Sequence, residues 1–153
     1  MNNRINIGLF NDSFYPMADG VISVVDNYAR KLNEIANVTV FVPHGKKKYD
    51  DTKLPYKVVR CKSIKIPFYD YVLPVPFLDF KFKKELKKAN LDIVHIHSPF
   101  GIGGAGIKYS KKNNIPSIAT MHTQFKKEIR KVINNEFIIE RVNRSLIKKL
   151  KNK

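Results

Sequence analysis

Ten residues, Asn11 to Gly20, reading NDSFYPMADG, stand between the first apolar run, Ile5–Phe10, and a helical pattern that opens at Val21. A strand that empties through a long turn into a helix start makes a ligand edge, because the free N–H groups of the first helical turn favour anions. Gly20 is the only glycine of that turn, and it is expected where a backbone must come close to another group. A sugar phosphate suits such an edge. The two carboxylates there also have plainer readings, Asp12 as a turn former and Asp19 as a residue that opens the helix.

A second glycine pattern, Gly101-Ile102-Gly103-Gly104-Ala105-Gly106, fits G-x-G-x-x-G, follows a strand and opens a helix. As a dinucleotide site it fails twice: it lies in a later βα unit, and no acidic residue falls near the end of the next strand, Thr120-Met121-His122. Small residues that let a helix pack closely on the sheet are the favoured reading. His95, His97 and His122 all fall at C-terminal ends of strands, the edge where doubly wound sheets bind ligands. His95 and His97 share a strand face, yet no carboxylate or cysteine with ligand spacing accompanies them, so no metal is expected. For His95 a buried, hydrogen-bonded core position is favoured. His122 is expected to face the same crevice as Gly20.

The stretch Ile64–Leu91 is rich in aromatics, prolines and lysines. On a helical wheel Leu78, Phe82, Leu86 and Ala89 form a core stripe, and Phe80 falls opposite, among Lys83, Lys84 and Lys87. An exposed aromatic among lysines, after the loop Pro67–Phe77, is the composition of an interfacial membrane contact. The alternative is a loop whose aromatics close over the core.

Strand and helix patterns alternate around these residues. Strands are expected at Ile5–Phe10, Val38–Val42, Tyr56–Cys61, Asp92–His97 and Ser117–Met121. Helices are expected at Val21–Ala36, Leu78–Asn90, Gly101–Asn113 and Lys126–Lys151, the last interrupted near Asn134-Asn135. Strands buried on both faces and separated by helices predict an α/β fold with a doubly wound parallel sheet.

The chain of 153 residues is sized for one domain, and 43% hydrophobic residues suit a globular core. No apolar run is long enough to span a bilayer, and Met1-Asn2-Asn3-Arg4 leads straight into a strand pattern, so neither a membrane span nor a signal peptide is expected. The single cysteine, Cys61, reads as a small apolar filler, and the chain reads as cytosolic. The net charge of +16 is uneven: residues 1–40 carry −1 and the remainder +17. Such a field attracts an anionic membrane surface or nucleic acid, unless it is simply a solvated lysine-rich surface. Apolar strands covered by helices argue against nucleic acid. A flavodoxin-like phosphate loop is short and rich in Ser, Thr and Gly, and Asn11–Gly20 is not.

Three motifs in order carry a resemblance: Ile7-Gly8-Leu9-Phe10-Asn11-Asp12-Ser13-Phe14-Tyr15-Pro16 with Asp19-Gly20-Val21, then Asp92-Ile93-Val94-His95-Ile96-His97-Ser98-Pro99-Phe100, then Ile118-Ala119-Thr120-Met121-His122-Thr123. Over essentially its whole length, residues 1–153, the chain resembles the N-terminal domain of glycosyltransferase family 4. That is the Rossmann-like acceptor-side half of a GT-B fold, and the likeness is to enzymes that glucosylate diacylglycerol or related lipids. The resemblance implies a retaining transfer of a sugar from a nucleotide-sugar donor to a lipid or membrane-associated glycan, with the nucleotide sugar as substrate and no metal or other cofactor. It implies that Gly20 approaches the donor diphosphate, His122 contacts the transferred sugar, and Asp12 and Asp19 line the acceptor side.

Family members are two to three times longer and hold the nucleotide in a second domain, which this sequence does not contain. The chain is therefore expected to be a truncated first domain, inactive by itself, cytoplasmic and peripheral at the inner face of the cell membrane. The rival expectation is a non-enzymatic basic module for anionic membrane or nucleic acid.

Overall fold

A computed structural model describes residues 4–68, 70–122 and 136–151. It divides into two compact units, Met1–Thr120 and Met121–Lys153. In the first unit β1 (Asn6–Phe10), β2 (Asn37–Pro43), β3 (Lys57–Cys61), β6 (Ile93–Ile96) and β7 (Ser117–Ala119) form a five-stranded sheet in the order β3-β2-β1-β6-β7. Every pairing in that sheet is parallel. The helices α1 (Gly20–Asn33), α2 (Phe80–Lys88) and α3 (Gly101–Asn113) connect its strands. The expected α/β doubly wound sheet is therefore present.

The period of two along each strand divides the core. One face sends Ile7, Leu9, Val38, Val40 and Val42 into a buried cluster with Ile22, Val25 and Ala29 of α1. On the other face Phe10 stacks on Phe41 at 4.6 Å, and Phe41 meets Phe82 of α2 edge-on at 5.9 Å. At the sheet margin β7 departs from the expected two-sided burial, since all three of its residues are exposed.

Within the Ile64–Leu91 stretch the structure differs from the sequence reading. A separate antiparallel pair, β4 (Ser63–Lys65) and β5 (Val72–Pro74), occupies part of the expected loop. Helix α2 begins after Asp79, whose carboxylate accepts from Phe82 N–H, so Leu78 precedes the helix. Leu78 is 61% exposed and drops out of the core stripe, while Phe82 and Leu86 stay buried.

In the second unit Glu136–Lys151 forms α4. The expected interruption at Asn134-Asn135 and the beginning of that helix pattern lie outside the described residues.

Candidate functional site

The C-terminal ends of β1 and β6, adjacent strands, release the two segments that matter most. From β1 the chain passes into Asn11–Gly20, held to β2 by Asn11 N–H donating to the Phe41 carbonyl at 3.2 Å. Inside the loop, Asn11 Nδ2 donates to the Ser13 carbonyl at 2.8 Å, and Ser13 Oγ donates to Asp19 Oδ2 at 3.4 Å. Tyr15 crosses to α1, its hydroxyl donating to Asp26 Oδ2 at 2.9 Å. A long connection is thereby fixed by its own polar side chains.

Asp19 and Gly20 take the two positions that open α1. The Asp19 side chain accepts from Ile22 N–H at 2.8 Å, the bond that makes it the N-cap. Gly20 is the first helical residue, and a Cβ built on it meets nothing within 4 Å. No packing among the described residues requires glycine there, and the space beside its backbone is open.

Asp12 lies at the other end of the loop and reaches α3. Its Oδ2 accepts from Ser98 Oγ at 2.5 Å and its Oδ1 from Ile102 N–H at 2.6 Å. Phe100, at the N-cap position of α3, offers no side-chain bond, so the Asp12 carboxylate supplies from a distant segment what a local cap would give. Nothing in the sequence around Ser98 marks its pairing with Asp12, 86 residues away. The only local signal was that an aromatic cannot cap a helix.

The glycines of α3 serve packing. A Cβ on Gly106 would lie 2.8 Å from the Phe10 ring, and one on Gly103 would collide with the Ser98 carbonyl. This is the close helix-to-sheet contact favoured over a nucleotide fingerprint.

His95 is buried, and its Nε2 lies 2.7 Å from Thr120 Oγ1. Its ring stands 4.1 Å from that of His97, and Tyr28 of α1 lies against both. The core-histidine reading of His95 therefore holds. His122 belongs to the second unit, three residues beyond β7. Among the described residues no group of three or more His, Cys, Asp or Glu is arranged to hold a metal ion.

Beside the loop, burial and then the charge of Arg60 push the His44 imidazole below its ordinary pKa. Arg60 itself is tied bidentately to Asp51 at 2.7 and 2.8 Å and lies 5.9 Å from the Phe14 ring. Burial, with the nearby Asp79 charge, pushes the Cys61 thiol up to about 12, which leaves it protonated and unreactive at neutral pH.

The hairpin and α2 present the apolar and basic surface. Phe80 is 82% exposed with Lys83 Nζ 5.2 Å from its ring centre. Phe68, Tyr71, Leu73 and Phe77 are exposed as well, so among the described residues the aromatics of the Pro67–Phe77 loop do not close over the core. Lys84 and Lys87 are also exposed on α2. Among the described residues no helix is long and apolar enough to cross a membrane.

Residues 18–152, most of the chain, match the family described as Glycosyltransferase Family 4. The chain belongs to that family. It is 32% identical over 127 residues to an alpha-monoglucosyldiacylglycerol synthase of Acholeplasma laidlawii, an alignment covering 79% of this chain and 30% of the relative. A Streptococcus pneumoniae protein of the same description is 30% identical over 135 residues, covering 79% of this chain and 27% of the relative. A GDP-mannose-dependent alpha-mannosyltransferase of Corynebacterium glutamicum is 25% identical over 125 residues, covering 78% and 29% respectively. The chain thus spans less than a third of the length of each of these relatives. Within this glycosyltransferase family chain, the Asn11–Gly20 loop and the start of α3 form one continuous hydrogen-bonded wall.

Proposed function

We propose that this chain is the acceptor-side part of a retaining glycosyltransferase that moves a sugar from a nucleotide-sugar donor to a lipid or membrane-associated acceptor. The observation that carries the reading is the open space beside Gly20, at the start of a capped helix on the C-terminal edge of the sheet. In the reaction the bond between the anomeric carbon and the donor phosphate oxygen breaks, the acceptor hydroxyl oxygen bonds to that carbon, and the hydroxyl proton passes to the departing diphosphate. Negative charge grows on the departing diphosphate, and N–H groups at the positive end of α1 stabilise it there.

Gly20, lacking a side chain, lets the diphosphate reach the helix backbone. His122 contacts the transferred sugar. Asp12 and Asp19 border the acceptor side from fixed positions, each already accepting hydrogen bonds from the chain. The nucleotide sugar is a substrate, and we assign no metal or other cofactor. Because these 153 residues span less than a third of the length of the relatives they match, sugar transfer by the 153 residues alone is expected to be absent.

The acceptor side works against an anionic membrane from the cytoplasmic face, as a peripheral protein. Support comes from Phe80 standing exposed under Lys83, beside Lys84 and Lys87 and the exposed hairpin aromatics. Nucleic acid is not assigned as a partner.

A nucleotide-sugar titration followed by backbone amide resonances tests the donor reading. UDP-glucose or GDP-mannose is expected to shift Gly20 and Val21 at millimolar concentration while the amides of Gly101 and Gly103 stay in place. Shifts confined to α3, or none near Gly20, would contradict it.

A further inference from the structure

Most ties that hold the Asn11–Gly20 loop run to itself, to β2 or to its own helix α1. The Asp12 pair differs, because it crosses to Ser98 and Ile102, 86 and 90 residues away. Both bonds place a carboxylate oxygen on a donor, the stronger class of hydrogen bond, and Ile102 N–H also carries the positive end of α3.

Gly101 completes the junction. A Cβ there would lie 3.3 Å from Asp12 Oδ1 and 2.8 Å from Pro74 Cγ at the end of β5. The first residue of α3 is thus wedged between the Asp12 carboxylate and the hairpin, with no room for a side chain. The same arrangement places the chain's own anion at the start of the glycine run, where a nucleotide fingerprint would hold a phosphate.

We propose that Asp12 is a positioning residue: it clamps the Asn11–Gly20 loop to the start of α3 and so fixes where Gly20 presents its backbone. The proposal rests on the donor-facing reading of Gly20 for its functional meaning. Asp12 needs no contact with the sugar to do this. Its carboxylate is the fastener, and Gly101 is the space that lets the fastener close.

Amide hydrogen exchange on the full chain tests the clamp, with Asp12→Ala, Asp12→Asn and Gly101→Ala. Asp12→Ala is expected to speed exchange at Ile102 and through the loop by about tenfold or more, the loss anticipated for charge-assisted bonds, with Val40 and Val42 of β2 nearly unchanged. Asp12→Asn keeps one acceptor oxygen and is expected to fall between. Gly101→Ala opens the same junction with the carboxylate intact, and it carries the measurement if Asp12→Ala does not fold.

In the folded variants the shift of Gly20 by GDP-mannose is expected to weaken at least about fivefold with Asp12→Ala and to recover in part with Asp12→Asn. Unchanged loop exchange, or an equal rise in loop and β2 core, would overturn the clamp. A wild-type Gly20 that ignores GDP-mannose while Asp12→Ala still loosens the loop would sink the donor reading alone.

Discussion

The hydroxyl of Tyr56 donates to Asp26 at 2.5 Å, joining the approach to β3 to the middle of α1 across 30 residues of sequence. The same carboxylate accepts from Tyr15 at 2.9 Å and from Arg30 Nε at 2.9 Å. Loop, helix and strand therefore meet on one buried anion.

Tyr56→Phe is expected to cost about 1.5–3 kcal/mol in urea unfolding, the range for a hydrogen bond to a charged group. Burial first, and then the bond to Asp26, raise the pKa of both Tyr15 and Tyr56. A raised folded-state value means this stability is whole below the unfolded tyrosine pKa of about 10 and is lost as pH climbs above it. The alkaline decline should be shallower in Tyr56→Phe than in the wild type. An equal decline in both would show that the network does not control it.

Asp79 contributes on the acid side. Burial alone would push its carboxyl up, but N–H donation from Lys62 and Phe82 outweighs that and holds it below the usual range. Its contribution is therefore whole above about pH 4 and lost as pH falls through the lowered value. Asp79→Ala is expected to lose about 0.5–2 kcal/mol at neutral pH, as for other helix caps, and to flatten the acid limb of the stability curve.

Gly20 and Gly106 should respond oppositely to alanine. At Gly106 the new Cβ meets the Phe10 ring at 2.8 Å, and overpacking is expected to destabilise by about 1–3 kcal/mol. At Gly20 nothing lies within 4 Å, so stability should hold or rise by about 0.4–1 kcal/mol. Calorimetry of the two variants separates a packing glycine from one whose value lies outside the fold. If Gly20→Ala unfolds as easily as Gly106→Ala, the open space beside Gly20 is not real.

Much of this was readable in advance because local signals agreed. β1 and β2 are apolar runs, α1 has helical spacing behind Asp19, and Gly101–Asn113 was placed to the residue. Leu78 misled because Leu78, Phe82 and Leu86 keep perfect fourfold spacing. The better signal was Asp79, three residues before Phe82, which caps the helix. The β4–β5 pair escaped because its strands are three residues long, with Pro74 as the last residue of β5 and Pro67 two residues after β4. The bonds from Asp12 to Ser98 and Ile102 had no local signature, since their partners lie 86 and 90 residues apart and only the fold joins them.

Vesicle flotation tests the central claim, a glycosyltransferase wall that works against an anionic membrane. The full chain should float with vesicles of phosphatidylglycerol and phosphatidylcholine, and much less with phosphatidylcholine alone. Phe80→Ser should reduce flotation strongly without lowering thermal stability, because that ring is 82% exposed. A chain that stays unbound to anionic vesicles, yet binds DNA with a steep loss of affinity as salt rises, would contradict the account.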